Sequence, residues 1–408
     1  YRNDVALLRD LGIGAYRLSF GWSRLQPTGT GQLNPAGVDF YDRLLDQLLA
    51  AEIQPFVTLY HWDLPQVLED AGGWPTRDTA NRFADYATAA HARFADRVAD
   101  WTTLNEPWVA AFLGYAAGVH APGRAEPAAA VLAAHHLLLG HGIATAAMRA
   151  ARRDLRYGIT LNLHPIDAAS SAARDVEAAR RVDGVQNRLF LDPLLRGHYP
   201  ADVLADLAPV VGPDYIRNGD EATINAPLDF LGVNYYFRQT VRGGRSGEAA
   251  SDSVGQLAWV GADDVVPVDA GHERTEMGWE IDPTGLRDVL VRLATEYGSP
   301  ILYVTENGAA FDDEVSADGA VHDARRTAYL DGHLRAARAA IQEGADLRGY
   351  FVWSFMDNFE WAFGYSKRFG IVYVDYPTQV RTIKDSGRWF SRVARSNRLP
   401  AWRDVGTA

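Results

Sequence analysis

The 408-residue sequence contains no cysteine. That excludes a disulfide framework, a thiol nucleophile and a thiolate metal site. The lack fits a reducing compartment, and equally an enzyme that does without thiols. A cytoplasmic location is the expectation, although the first residue is Tyr1 and a leader segment stays open. No run of about 18 or more consecutive apolar residues occurs, so the sequence offers no membrane span. Cationic residues are in the minority, 40 Lys and Arg against 52 Asp and Glu, for a formal net charge of −12. That balance argues against nucleic-acid and anionic-membrane partners. No internal repeat is visible, and the oligomeric state is not legible.

What the chain does have is hydrophobic content of 47%, enough for a large core, and 11 tryptophans, several beside polar residues. Short β-like runs alternate with longer helical patterns. The runs are "AYRLSF" (15–20), "QPFVTLYH" (54–61), "DWTTLN" (100–105), "RYGITLNL" (156–163), "DFLGVNYY" (229–236), "PILYVTEN" (300–307) and "RGYFVWSF" (348–355). Helical patterns follow near 37–51, 79–96, up to 149, 172–191, 283–297, 323–343 and 384–397. Strands that are nearly continuous apolar runs, each followed by a helix, predict an α/β fold with a parallel sheet. The chain opens on a helical pattern, with Val5, Leu8 and Leu11 at helical spacing. Seven strand–helix units preceded by a helix predict a (β/α)8 TIM barrel lacking its first β-strand, as a single catalytic domain over residues 1–408. The segment 243–253 is polar and Gly-rich, and 255–272 reads as irregular.

In such a barrel the active site lies at the C-terminal ends of the strands. Those ends carry Arg17, Ser19 and Trp22; His61, Trp62 and Asp63; Asn105 and Glu106; Asn162 and His164; Asn234, Tyr235 and Tyr236; Glu306 and Asn307; and Trp353, with Glu360 and Trp361 beyond. The strand interiors are apolar, yet every end is polar or aromatic. "TLNEP" and "VTENG" each end a strand on a glutamate, Glu106 and Glu306. Two carboxyl groups facing one cavity suit cleavage of a glycosidic bond, one protonating the leaving oxygen and the other attacking or stabilising the anomeric carbon. Acid–base help alone supplies about 10²–10⁴-fold, too little for an enzyme, so a nucleophile and positioning must add the rest. The blander reading of the pair is two helix caps or a buried ion pair. "HHLLLGH" (135–141) invites a metal, but it lacks the H-E-x-x-H pattern and lies in an Ala- and Leu-rich helical stretch, which favours a structural role. No metal or other cofactor is expected.

The chain resembles glycoside hydrolase family 1, the β-glucosidase family. The resemblance rests on "YRLSFGWSRLQP" (16–27), "LYHWDLPQ" (59–66), "TLNEP" (103–107), "LGVNYY" (231–236), "VTENG" (304–308) and "WSFMDNFEWAFGYSKRFGIVYVD" (353–375), in family order across almost the whole chain. It implies a retaining β-glycosidase acting by double displacement on cellobiose-type or aryl β-glucosides, with galactosidase, fucosidase and transglycosylation side activities. Residue by residue, it implies Glu306 as nucleophile and Glu106 as acid and then base, with Arg17 and Tyr236 holding Glu306 and Asn234 supporting the acid. It implies that His61, Asn105, Glu360 and Trp361 bind sugar hydroxyls, Asn105 at the 2-hydroxyl, and that Trp353 is the platform under the ring. Relatives acting on 6-phosphorylated sugars carry Ser where this chain has Glu360, so a non-phosphorylated substrate is expected. The family's opening strand, with a sugar-binding Gln, has no counterpart in these residues. A catalytically impaired sugar-binding fragment is therefore the alternative expectation.

Overall fold

The computed structural model describes residues 1–244 and 257–400. Seven strands form one all-parallel sheet: β1 (Ala15–Ser19), β2 (Gln54–Tyr60), β3 (Asp100–Asn105), β4 (Arg156–Asn162), β5 (Phe230–Asn234), β6 (Leu302–Asn307) and β7 (Leu347–Val352). Spatial order equals chain order, each strand lying beside its predecessor, as right-handed βαβ connections demand of a barrel. Every expected strand and nearly every expected helix is present, with ends within a few residues. The helices start where chemistry favours it. Pro35, Pro127 and Pro283 stand in first turns, where a missing N–H costs nothing, and the Asn34 and Asp282 side chains accept from the backbone N–H of Ala36 and Thr284.

Inside the barrel the period-two alternation of strands builds layers. Phe56 packs against Phe230, Tyr303 and Phe351 with ring centroids 5.1–5.5 Å apart, which closes the bottom with an aromatic floor. Two residues further along β2 and β4 come the buried Thr58 and Thr160, with Thr102 paired opposite Thr58. Above them stand the polar strand ends. The floor separates this mouth from the opposite end of the barrel, where Asp100 pairs with Arg156 at the start of the strands.

β1 and β7 are the sheet edges, each with one ladder partner. Most of their residues are only half-buried, whereas β3 and β5 are buried throughout. This agrees with the seven-strand reading. On the outside, the first helix (Arg2–Asp10) meets the last (Asp385–Ser396): Ser391 donates to the Leu11 carbonyl at 2.6 Å, and Arg381, just before that helix, pairs with Asp4 at 3.0 Å.

Three sequence expectations change. The Ala-rich stretch before Arg149 is not one helix but a π-helical segment, Val109–Ala116, followed by a helix Pro127–Ala151. Among the described residues this 25-residue helix is long and apolar enough to cross a membrane, yet most of it is buried inside the fold. Its apolar girth follows from its neighbours: a Cβ at Gly142 would lie 2.0 Å from the Thr223 carbonyl, so another helix crosses it in direct contact. The pattern near 172–191 likewise divides, at a π-helical turn Gly184–Arg188. Finally, 255–272 is not wholly irregular. Val265–Val268 pairs antiparallel with Gln239–Gly243 in a small side sheet completed by Ile166–Ala168. The polar, Gly-rich segment 243–253 lies mostly outside the described residues.

Edge strands with one ladder partner should open more readily than inner ones. Native-state amide exchange in β1 and β7 is expected to be about tenfold or more faster than in β3 and β5. Equal protection in all four would contradict this account of the sheet.

Candidate active site

A cavity of about 860 Å3 opens above the strand ends, within the usual range for a small-molecule site. Glu106 and Glu306 both line it. Glu306 is the last residue but one of β6 and lies in register with Asn234 of β5. Arg17 of β1 reaches across the barrel mouth: Nη1 donates to Glu306 Oε1 at 2.6 Å, and Nη2 to Asn105 Oδ1 at 2.5 Å. The Tyr236 hydroxyl donates to the other oxygen, Glu306 Oε2, at 2.6 Å. Burial and the facing carboxylates push the Tyr236 phenol well above its usual range, so it remains a donor. Both Glu306 oxygens are thereby oriented by strong, charge-assisted or phenolic bonds.

Glu106 is differently placed. The pairing of β3 with β4 shifts register between Thr102 and Asn105 and resumes at Asn105–Thr160, and Glu106 takes a left-handed conformation (φ 46°) while its N–H still donates to Thr160. Such a conformation costs a non-glycine residue roughly 1–3 kcal/mol, and it turns the side chain into the cavity. Trp62 (φ 75°) and Trp361 (φ 44°) share this strained conformation and line the same cavity. Burial raises the Glu106 carboxyl to about 8; Glu306 adds to the rise, and the Asn234 hydrogen bond and Arg17 oppose it. Asn234 Nδ2 donates to Glu106 Oε1 at 2.6 Å, while Thr305 donates to Asn234 Oδ1 at 2.7 Å and fixes which way the amide points.

The remaining wall is sugar-like in its chemistry. Asn105 Oδ1 accepts from Arg17 and Asn234, so its Nδ2 is the end that meets His61 Nε2 at 3.1 Å. Nε2 is then an acceptor, and the imidazole proton sits on Nδ1, 2.8 Å from the Ser19 hydroxyl. Burial, and then Arg17, lower the His61 pKa to about 3, which keeps the ring neutral. His61 lies between Trp353 and Trp361, with centroids at 6.2 and 5.7 Å. Burial and Glu306 push Glu360 up to about 7, with the Trp353 side chain opposing, and its Oε2 is buried without a protein partner.

Of the residues singled out in the sequence, Glu106, Glu306, His61, Tyr236, Trp353, Glu360 and Trp361 line the cavity. Arg17, Asn105 and Asn234 lie one layer behind. Asn105 is fully buried, its amide committed to Arg17, Asn234 and His61. The helical histidines are elsewhere: His135 bonds Tyr199 and Asp220, His136 bonds the Trp74 carbonyl, and His141 bonds Thr103. Among the described residues no three His, Cys, Asp or Glu side chains are grouped to hold a metal ion. Sequence reasoning missed His120, which stacks on Trp62 at 5.5 Å, and Trp279, which packs against Tyr236 at 5.1 Å. Both stand in irregular segments, where no periodicity marks the residue that turns inward.

Comparison with known proteins agrees with this geometry. The family model for glycosyl hydrolase family 1 matches residues 1–399. The thermostable β-glucosidase B of Thermobispora bispora is 50% identical over 98% of this chain and 80% of its own. A bifunctional β-D-glucosidase/β-D-fucosidase of Bifidobacterium breve is 46% identical over 96% of this chain and 86% of its own. The β-glucosidase of Thermotoga maritima, solved in complex with deoxynojirimycin, superposes with a TM-score of 0.91 at 45% identity, over 98% of this chain and 87% of that one. A match that runs nearly from end to end, with the motif residues meeting at one cavity, makes this chain a member of glycosyl hydrolase family 1.

Proposed function

We propose that the protein is a retaining β-glycosidase that releases terminal β-D-glucosyl residues, working as one catalytic barrel over residues 1–408. The observation that carries the reading is the asymmetry of two carboxyl groups in one cavity. Glu306 is gripped by Arg17 and Tyr236, whereas Glu106 is buried, raised to about 8 and bonded by Asn234. Paired carboxyl groups in contrasting environments divide acid from nucleophile.

In the first step the Glu306 carboxylate attacks the anomeric carbon. Glu106 gives its proton to the glycosidic oxygen, and the C–O bond to the leaving alcohol breaks. A covalent glycosyl–enzyme results. Esterified Glu306 no longer repels the charged form of Glu106, so one cause of the raised pKa vanishes and Glu106 becomes a better base. It then takes a proton from water, the oxygen attacks the anomeric carbon, and Glu306 leaves as carboxylate. Two inversions restore the starting configuration, a geometry in which retaining enzymes hold the carboxyl groups about 5–5.5 Å apart. His61, Glu360 and Trp361 bind hydroxyls, and Trp353 lies under the ring. The buried, unpartnered Oε2 of half-buried Glu360 supports a hydroxyl donor there, and a carboxyl group is a poor neighbour for phosphate. Asn105, expected at the 2-hydroxyl, is instead fully buried behind the wall, where its amide fixes His61, so it acts on the sugar only through that ring. The β-glucosidase names of the relatives support glucose, and the Bifidobacterium breve protein's name supports a β-fucosidase side activity. Sugar binding without turnover is the disfavoured alternative, because both carboxyl groups and their partners stand together.

Two outcomes test this reading. With an aryl β-glucoside the first-formed sugar is the β-anomer, and Glu306→Gly lowers kcat by at least about 10³-fold; a first-formed α-anomer, or a near-normal Glu306→Gly, contradicts double displacement. Glu106 must be protonated to act as acid, and its pKa is raised, so kcat/KM is retained below that value and falls as pH rises through about 8. In Glu106→Gln the residual activity lacks that alkaline limb. An unchanged limb in the variant would assign it to another group.

A further inference from the structure

Behind the wall that carries Glu360 and Trp361 lies a charge cluster the reaction does not use. Arg326, in the first turn of the helix Ala324–Gln342, is fully buried. It holds Asp313 through both terminal nitrogens, at 3.0 and 2.7 Å, and Asp323 at 2.5 Å. Its Nε donates to the Ala309 carbonyl at 3.2 Å and its Nη2 to the Arg368 carbonyl at 2.8 Å. Lys384, also fully buried, bridges Asp313 Oδ2 at 2.5 Å and Asp357 Oδ1 at 2.8 Å. Arg368 holds the other oxygen of Asp357 at 2.7 Å. Asp357 also accepts from the N–H groups of Gly370 and Val374, and Asp323 from that of Ser386. Three cations thus face three carboxylates, and all but Arg368 are buried.

Such a cluster is a poor source of stability. Each buried ion loses several kcal/mol of hydration, and apolar residues of similar volume often serve as well or better. What it offers is fixed geometry, and its members sit on two particular loops. Asp313 and Ala309 follow β6 and Glu306; Asp357, Arg368 and Gly370 belong to the loop after β7 that carries Trp353, Glu360 and Trp361. Near the cavity those loops are already pressed together: the Trp353 N–H donates to the Asn307 carbonyl at 2.9 Å, and a Cβ at Gly308 would lie 1.6 Å from the Trp353 carbonyl. That contact is one hinge point. The charge cluster is the second fastening, and two are needed to fix an orientation. Lys384 is its junction, because among the described residues it alone donates to both Asp313 and Asp357.

We infer that Lys384, with Asp313, Asp357 and Arg326, is a positioning device that sets the Glu360–Trp361 loop against Glu306 and so fixes which sugar is recognised. None of the four lines the cavity, so they act through the loop. The inference rests on the reading of Glu360 as a hydroxyl contact, which the test separates out.

The full chain is compared as wild type, Glu360→Ala and Lys384→Met. The readouts are thermal stability, kcat/KM for an aryl β-glucoside, and kcat/KM for the matching β-xyloside, which lacks the C6 hydroxymethyl group. In Lys384→Met, glucoside kcat/KM is expected to fall by about 10–100-fold, the scale of a misplacement near 1 Å. The glucoside-to-xyloside ratio should collapse toward that of Glu360→Ala. A ratio at the wild-type value, whatever the change in Tm, overturns the inference and leaves a purely structural cluster. If Glu360→Ala itself keeps the wild-type ratio, the reading of Glu360 fails instead. The crystal structure of Lys384→Met then decides: Trp361 displaced relative to Trp62 supports positioning, and an unmoved pair overturns it. Should Lys384→Met not fold, Lys384→Met with Asp357→Asn, which removes one charge of each sign, is read by the same criteria.

Discussion

A guanidinium buried at the mouth of a barrel needs partners, and in this protein the two that the terminal nitrogens of Arg17 find organise the site, while its Nε is left without one. Arg17 is bound to a carboxylate 289 residues away and an amide 88 residues away. Its ion pair with Glu306 is about 95% removed from water on both sides. Removing either partner would strand a buried charge, at a cost of roughly 3–5 kcal/mol. Everything else follows in sequence. Arg17 and Asn234 take the Asn105 oxygen, so the Asn105 nitrogen meets His61. That choice puts the imidazole proton on Nδ1, toward Ser19. One cation thereby aligns a proposed nucleophile, a histidine proposed to bind the sugar and the amide between them, using residues from β1, β3, β5 and β6. Its base is the edge strand β1, which is only half-buried and has one ladder partner, so the arrangement depends on side-chain bonds across the barrel more than on the ladder.

The site is held in states that water would not permit. Glu106, Trp62 and Trp361 carry left-handed backbone, and two carboxyl groups, Glu106 and Glu360, are raised toward or above neutrality. These are costs of a few kcal/mol each, and they persist because the surroundings are rigid. The aromatic floor around Phe56 excludes water from below, and the cluster around Arg326 and Lys384 secures the loop beyond β7. Rigidity is concentrated below and behind the cavity, strain at its rim. The same burial also raises the Glu106 carboxyl to about 8, which suits the acid role proposed for it.

Much of this was legible in the sequence because the barrel translates strand ends into a single surface. Once "TLNEP" and "VTENG" are read as strand ends, two glutamates 200 residues apart must meet, and Arg17, His61, Asn234 and Tyr236 follow from the same rule. What the rule could not supply is depth. Asn105 and Glu106 are neighbours, yet the register shift at the end of β3 sends Asn105 behind the wall and Glu106 into the cavity. Nor could it supply residues from irregular chain, where His120 and Trp279 turn inward without any period. The π-helical segments and the side sheet at Val265–Val268 were missed because local pattern does not distinguish them from helix and loop. The charge cluster was invisible for another reason: Asp313, Arg326, Asp357 and Lys384 read as ordinary surface charges until tertiary packing buries them.

In the proposed mechanism Glu306 becomes covalently attached to the sugar while Glu106 moves the proton. The most direct test uses an activated 2-deoxy-2-fluoro-β-glucoside, whose fluorine slows both steps while its good leaving group keeps the first one the faster. Mass spectrometry of the digested, inactivated protein locates the label. The account predicts one 2-deoxy-2-fluoroglucosyl group per chain, on the peptide containing Glu306, with Glu106→Gln still labelled by this activated reagent. A label on any other residue, or normal glucoside turnover by a protein that never acquires one, would contradict it.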